Sequence, residues 1–295
     1  MASAGLHTEL LKAYLWSEIN RLVEAKRWTN RQFAKAVGKS PNSTKEWLEG
    51  NRLPDKGNLA FICAKAGADP DRSAFMDMVW DQLFSGSEFI ADLDQRALYI
   101  VESVERNYGG FVKWDPSLLL GVLQTEATFM NLIAKKRDPA SRMKLWKQRE
   151  LRAEAFFARF TDEDGPGAEL YVPASAIADL DVLTAADKAR QIEHLRWVDS
   201  LPGCEVLVVP PRHLAVYPFD MFLGEGRPAT GPDFVYVENR DQSRHIVQPE
   251  KIALYDQDRR HLRAIAQGIG RFLDGGLHRL AEEHPEQRLR ERQLR

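Results

Sequence analysis

Seven histidines and two cysteines are the first residues to weigh for chemistry in this 295-residue chain. His194, His213, His245 and His261 are scattered, and none pairs with another at the i,i+4 spacing that sets two imidazoles on one helix face for zinc. Cys63 and Cys204 are far apart and lack metal-ligand spacing. Cys63 falls on an expected core-facing helix position and Cys204 precedes an apolar run, so both read as buried thiols. There is no Gly-x-Ser-x-Gly and no Walker loop. Gly268-Ile269-Gly270 holds the first two glycines of a dinucleotide fingerprint, but it follows a helix and no third glycine comes at the required spacing. No catalytic residue, cofactor or metal ligand is assigned, and the chain is not expected to be an enzyme.

The chemistry that does emerge is hydrogen bonding from short polar side chains between Arg27 and Pro54, RWTNRQFAKAVGKSPNSTKEWLEGNRLP. Thr29 is a good N-cap for a helix over Asn30 to Val37, with Phe33, Ala34 and Val37 on one face. Gly38 stops it, because glycine tolerates the left-handed backbone a helix end often needs. Ser40 caps a second helix with Pro41 in its first position, where a missing N–H costs nothing. That helix runs to Glu49, and Gly50 ends it. Two short helices about a glycine turn make a helix-turn-helix. Between Leu10 and Pro70 there are eleven Lys and Arg against six Asp and Glu, a balance of +5 on a chain whose total is −2. A basic module on a slightly acidic chain is the electrostatic footprint of a DNA binder.

This stretch resembles the XRE family of bacterial and phage repressors. The resemblance rests on Ala34 in the first helix, Gly38 in the turn, Ser40 opening the second helix, and Gly50 and Pro54 closing the unit. Ile19, Leu22 and Val23 line a preceding helix; Leu59, Ile62, Cys63 and Ala66 line a following one that ends at Gly67. In this fold the N-terminal half of the second helix enters the major groove. That directs Asn42, Ser43 and Glu46 toward base edges, where Asn pairs with adenine and Glu accepts from cytosine. Asn30, Arg31, Lys39, Ser40, Lys45 and Arg52 fall where phosphates would be contacted. The family usually has an aliphatic residue at Thr44, often a basic one at Glu46 and a glutamate at Leu48. Trp47 replaces a smaller apolar residue and is expected to anchor the core.

Length favours about two domains, and 44% hydrophobic with 28% charged residues is a globular composition. The start, MASAGLHTELLKAYLW, lacks a basic segment followed by an apolar run, and no stretch approaches the ~18 apolar residues of a membrane span. A cytoplasmic protein with no membrane contact is therefore expected. Residues 1–9 read as a loose end and Leu10 to Lys26 as the first helix. A further helix starts at Asp69-Pro70-Asp71, with Phe75, Met76, Val79, Trp80, Leu83 and Phe84 as its apolar stripe. The stripe packs on the neighbouring module or meets a second copy. Ser85-Gly86-Ser87 is the expected boundary.

Beyond it, Asp92 to Asn107 has helical spacing. Gly121 with Leu123-Gln124-Thr125, together with Gln148 and Leu151 on the basic run Arg142 to Arg152, resembles the large domain that follows XRE modules in actinobacterial antitoxin-like regulators; Leu120 stands where that family has proline. Strands are expected at Glu169–Val172, Glu205–Val209, Ala215–Leu223, Asp233–Glu238 and Arg244–Val247. Helices are expected from Ala185 to Ser200 and from Glu250 to Leu273. The fold class that follows is mostly α with an α+β C-terminal domain. It comprises a five-helix, lambda-repressor-like module at 10–85, a domain with a small, mainly antiparallel sheet at 88–275, and a charged tail at 276–295. The resemblance implies a transcription regulator binding operator DNA as a homodimer and answering to a small partner protein. A small-molecule effector is the alternative signal, with Tyr171, Trp197, Tyr217, Phe219, Phe222 and Tyr236 as pocket candidates. An antitoxin-like interaction module with little or no DNA binding is the alternative to the whole reading.

Overall fold

The computed structural model describes residues 2–85, 90–92, 98–135, 137–161, 164–225, 231–239 and 242–282. It is mostly helical with an α+β C-terminal part. The boundary expected at Ser85-Gly86-Ser87 falls largely outside the described residues, as does the tail beyond residue 282.

The chain divides into two compact units, residues 1–111 with 219–255 and residues 112–218 with 256–295. The first begins with α1 (Ala2–Ala25), α2 (Asn30–Val37), α3 (Pro41–Leu48), α4 (Lys56–Ala66) and α5 (Pro70–Gln82). Residues 2–9 belong to α1 and are not a loose end. The reason lies in its burial: Leu11, Leu15, Ile19 and Leu22 form one apolar row, His7 and Glu18 are buried beside it, and Leu10 and Ser17 are buried further round the helix. Each helix boundary has a local cause. Thr29 makes a capping box with Gln32, and Ser40, Asp55 and Asp69 cap α3, α4 and α5 by accepting from the backbone N–H of Ser43, Asn58 and Arg72. Gly38 and Gly67 close α2 and α4 in the left-handed conformation. Phe33, Ala34, Val37, Trp47, Leu59, Ile62 and Cys63 are buried, so Trp47 does anchor the core. Phe75, Met76, Val79 and Leu83 of the α5 stripe are buried too, whereas Phe84 is 76% exposed.

The rest of this unit comprises β1 (Ile90–Asp92), α6 (Leu98–Asn107), β5 (Phe219–Leu223), β6 (Phe234–Glu238) and β7 (Gln242–Ile246). The strands run in the order β1-β7-β6-β5, all antiparallel, with Ile90 opposite Arg244, Val235 opposite Ile246 and Asp220 opposite Tyr236. Of the helix expected from Asp92 to Asn107, Leu98–Asn107 is α6, whereas Asp92 pairs with Gln242 in β1; residues 93–97 lie outside the described residues. The strand expected from Ala215 starts at Phe219, directly after Pro218, which has no N–H to give a ladder. Phe222 and Phe234 stack at 4.7 Å, and the buried Tyr108 ring meets both edge-on while its hydroxyl donates to Pro232 O at 2.8 Å.

The second unit takes up β2 (Gly110–Trp114) at Val112 and continues with a short turn at Gly121–Leu123 and α7 (Glu126–Thr128). There follow α8 (Pro139–Phe157), β3 (Gly167–Pro173), α9 (Ala174–Ala178), α10 (Ala185–Asp199) and β4 (Cys204–Val209). The strand β2 was not expected from the sequence. The strands β3 and β4 are parallel, Leu170 opposite Val206, and their central residues are almost fully buried. Near-continuous apolar runs are what parallel strands covered on both faces require. The single helix expected over Glu250 to Leu273 is two, α11 (Pro249–Ile265) and α12 (Ile269–Glu282). Between them Gln267 and Gly268 form β8, paired antiparallel with Val208 and Leu207, so the free edge of β4 breaks the helix.

Candidate nucleic-acid interface

The helix-turn-helix is fixed by its own side chains. Gly38, at φ 65°, turns the chain out of α2, and its N–H is satisfied by Ala34 O and Lys35 O. Ser40 Oγ accepts from Ser43 N at 3.1 Å and lies 2.9 Å from Ser43 Oγ. Asn30, in the first turn of α2, braces the first turn of α3: its Nδ2 donates to Pro41 O at 2.9 Å, and its Oδ1 accepts from Thr44 Oγ1 at 2.6 Å. Thr44 is fully buried, so this polar residue at a usually aliphatic position serves the brace. On the other side Trp16 Nε1 and Asn20 Nδ2 of α1 both donate to Leu48 O, at 2.8 and 3.3 Å, and hold the C-terminal end of α3.

With its ends held, α3 turns Asn42, Ser43, Lys45 and Glu46 to solvent and buries Thr44 and Trp47. Lys39, Asn42, Ser43, Glu46 and Arg52 line one open groove, which Asp55 and Asn58 complete. The sequence spacing had not singled out the last two. Asp55 is a helix cap as well, and the Asn58 backbone N–H that it accepts holds its carboxyl below the ordinary range. Lys45 lies 3.5 Å from Glu49. Arg31 is exposed on α2, outside the groove. Asn30 is already engaged at both ends of its amide, so the phosphate contact expected of it would have to compete with the brace. The groove offers amide, hydroxyl and guanidinium donors beside two carboxylates. Such a set can read base edges, since amides and carboxylates accept from the exocyclic amines of adenine and cytosine.

Among the described residues no group of three or more His, Cys, Asp or Glu is placed to hold a metal ion. His194 stacks on Trp197 at 5.4 Å, and burial holds its pKa below the usual value. His213 stands edge-on to Trp114, and His261 Nε2 accepts from Leu214 N at 3.4 Å. Cys63 and Cys204 are buried free thiols, the latter pushed up to about 12 by burial. Of the six pocket candidates, Tyr171, Phe219, Phe222 and Tyr236 are buried in the core, whereas Trp197 and Tyr217 are 46% and 73% exposed. The Leu123-Gln124-Thr125 segment is internally satisfied. Gln191 of α10, fully buried, accepts from Thr125 N, Thr125 Oγ1 and Thr128 Oγ1 at 2.7–3.0 Å and donates to Leu123 O at 2.7 Å. Gln124 Nε2 donates to Leu119 O at 2.6 Å.

That segment lies within residues 102–268, which match the family described as "Domain of unknown function (DUF5753)". No curated protein and no solved structure matches the chain. The matched residues make up more than half of the sequence, and the chain belongs to the DUF5753 family.

Proposed function

We propose that this chain is a cytoplasmic, sequence-specific DNA-binding transcription regulator of the XRE type. Residues 10–85 would bind operator DNA, with one module of a homodimer in each half-site. Residues 88–275 would dimerise and receive a signal, from a small partner protein or a small-molecule effector, that changes the spacing of the two modules. One observation carries the reading. The helix α3 is clamped at both ends by Asn30, Ser40 and Trp16, while its outward face carries Asn42, Ser43 and Glu46 with no partner beyond the cap among the described residues. Such rigidity would be of use to a helix that must enter a groove in a fixed register. The absence of any long apolar helix among the described residues accords with a protein that does not cross a membrane through a helix.

A second reading is supported by Glu46 and Asp55, two carboxylates in the groove that phosphates would approach. Under it the module is antitoxin-like, binds a small partner protein and has little affinity for DNA. Fluorescence anisotropy of the full chain on its own upstream DNA, with unrelated competitor DNA and a salt series, separates the two. The regulator should prefer its operator by about a thousandfold or more over the competitor. Asn42→Ala should relax preference at one base pair by about 1–3 kcal/mol while leaving the salt slope unchanged. Equal, purely salt-dependent binding to both DNAs would rule out the operator and favour the interaction module.

A further inference from the structure

Several exposed cations outside the helix-turn-helix are neutralised locally. Arg190 sits against Asp187, Arg196 against Asp274, Arg260 against Asp256, and Arg263 against Glu205. The stretch entering α8 and its first turns depart from this pattern. Residues 135–152 hold eight Lys and Arg against two carboxylates, Asp138 and Glu150, in a chain whose net charge is −2. Asp138 is the N-cap and accepts from Ser141 N. Lys135, Arg137, Lys144 and Lys147 are exposed and form no ion pair among the described residues.

Two large apolar side chains share that surface. Met143 is 42% and Leu151 66% exposed. At ~100° per residue, Met143, Lys144, Lys147 and Leu151 fall within one arc of about 100°, and Met143 and Leu151 stand about 12 Å apart along the axis. Trp146, Phe156 and Phe157 are buried; at the same spacing Phe156 lies opposite this arc, and Trp146 and Phe157 lie about 40–60° from its Met143 edge. A phosphate backbone would use the cations and gain nothing from exposed Met and Leu. A membrane surface would want a continuous apolar face, which two side chains separated by lysines do not provide. An acidic amphipathic helix satisfies both features, with carboxylates against Lys144 and Lys147 and aliphatic side chains against Met143 and Leu151. The exposed Glu154 falls within the same arc and the exposed Glu150 at its edge, so the cationic part of the surface ends at Lys147.

We propose that the outer face of α8 is a docking surface for an acidic amphipathic helix of a partner protein. It lies outside the helix-turn-helix and stands whether or not that module binds DNA. The test titrates the full chain into three labelled probes: an acidic peptide of about 18 residues carrying leucines on one helical face, a scrambled peptide of the same composition, and a DNA duplex of unrelated sequence. Vesicles of phosphatidylcholine with phosphatidylglycerol form a fourth arm. The amphipathic peptide should bind saturably and more tightly than the scrambled one. Lys144→Glu with Lys147→Glu, and separately Leu151→Ser, should each weaken it by about fivefold or more. These side chains are exposed, so circular dichroism should show both variants folded; Lys144→Gln with Lys147→Gln replaces the charge reversal if it does not. Absence of saturable peptide binding overturns the proposal. So does equal binding of both peptides, or no effect of Leu151→Ser, since either means charge alone. Loss of duplex or vesicle binding in the lysine variants as large as the loss of peptide binding would reassign the surface to phosphates.

Discussion

Glu169 is a carboxylate on a largely buried strand, and the fold keeps it charged. Burial alone would raise its pKa, but hydrogen bonds from Arg259 and Tyr171 outweigh it and hold the carboxyl below the ordinary range. Arg259 donates through Nε at 3.0 Å and Nη2 at 2.8 Å, a two-pronged contact, and Tyr171 Oη donates at 2.7 Å. Because the folded carboxyl binds its proton less tightly than the unfolded one, whose pKa is about 4.3, the unfolded state takes up more protons in acid. The stabilisation is complete above that unfolded value and is lost as pH falls through the lower folded value. Glu169→Gln should therefore cost about 2 kcal/mol at neutral pH, a modest figure because Arg259 keeps contact with solvent. It should also flatten the acid limb. Urea unfolding at a series of pH values between neutrality and ~3 checks both; parallel wild-type and variant curves would mean that this carboxylate does not set the acid sensitivity.

At the scale of elements, α10 and the 123–128 segment are joined by one side chain. Gln191 serves two backbone and two hydroxyl groups in a site with no exposure. Gln191→Leu fills similar volume but strands those four groups, and each buried polar group left unpaired costs about 1–3 kcal/mol. Part of that is recovered by hydroxyl rotation, so a loss of about 3–4 kcal/mol is expected, read as a lower urea midpoint at unchanged slope. A loss under about 0.5 kcal/mol would mean that the segment is held otherwise. The sequence was legible where the cause of an element is local. Thr29, Ser40 and Thr184 announce helices through their own hydroxyls, and Gly38 announces the turn through its missing Cβ. It was not legible where the cause is a distant chain. The three residues of β1 are a strand only because 242–244 lie beside them, and β8 breaks a helical pattern only because β4 offers an edge. The candidate interface divides the same way. The exposure of Asn42, Ser43 and Glu46 follows from helical period, but the brace from Asn30 to Thr44 depends on how two helices meet.

At the scale of the molecule, α1 ties the helix-turn-helix to residues far along the chain. One row, Leu11, Leu15, Ile19 and Leu22, supplies apolar core, and Trp16 and Asn20 hold α3. Other positions of α1 face later residues: His7 Nε2 is 3.0 Å from His245 O, Ser17 Oγ accepts from Asn107 Nδ2 at 2.8 Å, and a side-chain carbon at Gly231 would crowd Leu10 and Ala13. Glu18, almost fully buried, pairs with Arg72 of α5 at 2.8 Å, and Arg72 bridges onward to Glu102 of α6. Burial works against the charge on Arg72, yet the two carboxylates raise its pKa beyond the ordinary value. A chain ending at Ser85 would keep the apolar core of α1 to α5 but lose Glu102, Asn107 and the 231–245 contacts. Its α1 should then fray independently of α3. Hydrogen exchange should show amides of residues 7–18 exchanging about 10- to 100-fold faster in the 1–85 fragment than in the full chain, with a smaller change in α2 to α4. Equal protection in the two would mean that the helix-turn-helix is self-sufficient and that the contacts of α1 with later residues add nothing to its stability. The graded loss would mean that Glu102, Arg72 and Glu18 couple the residues beyond Ser85 to α1, two residues from the Trp16 contact that holds α3.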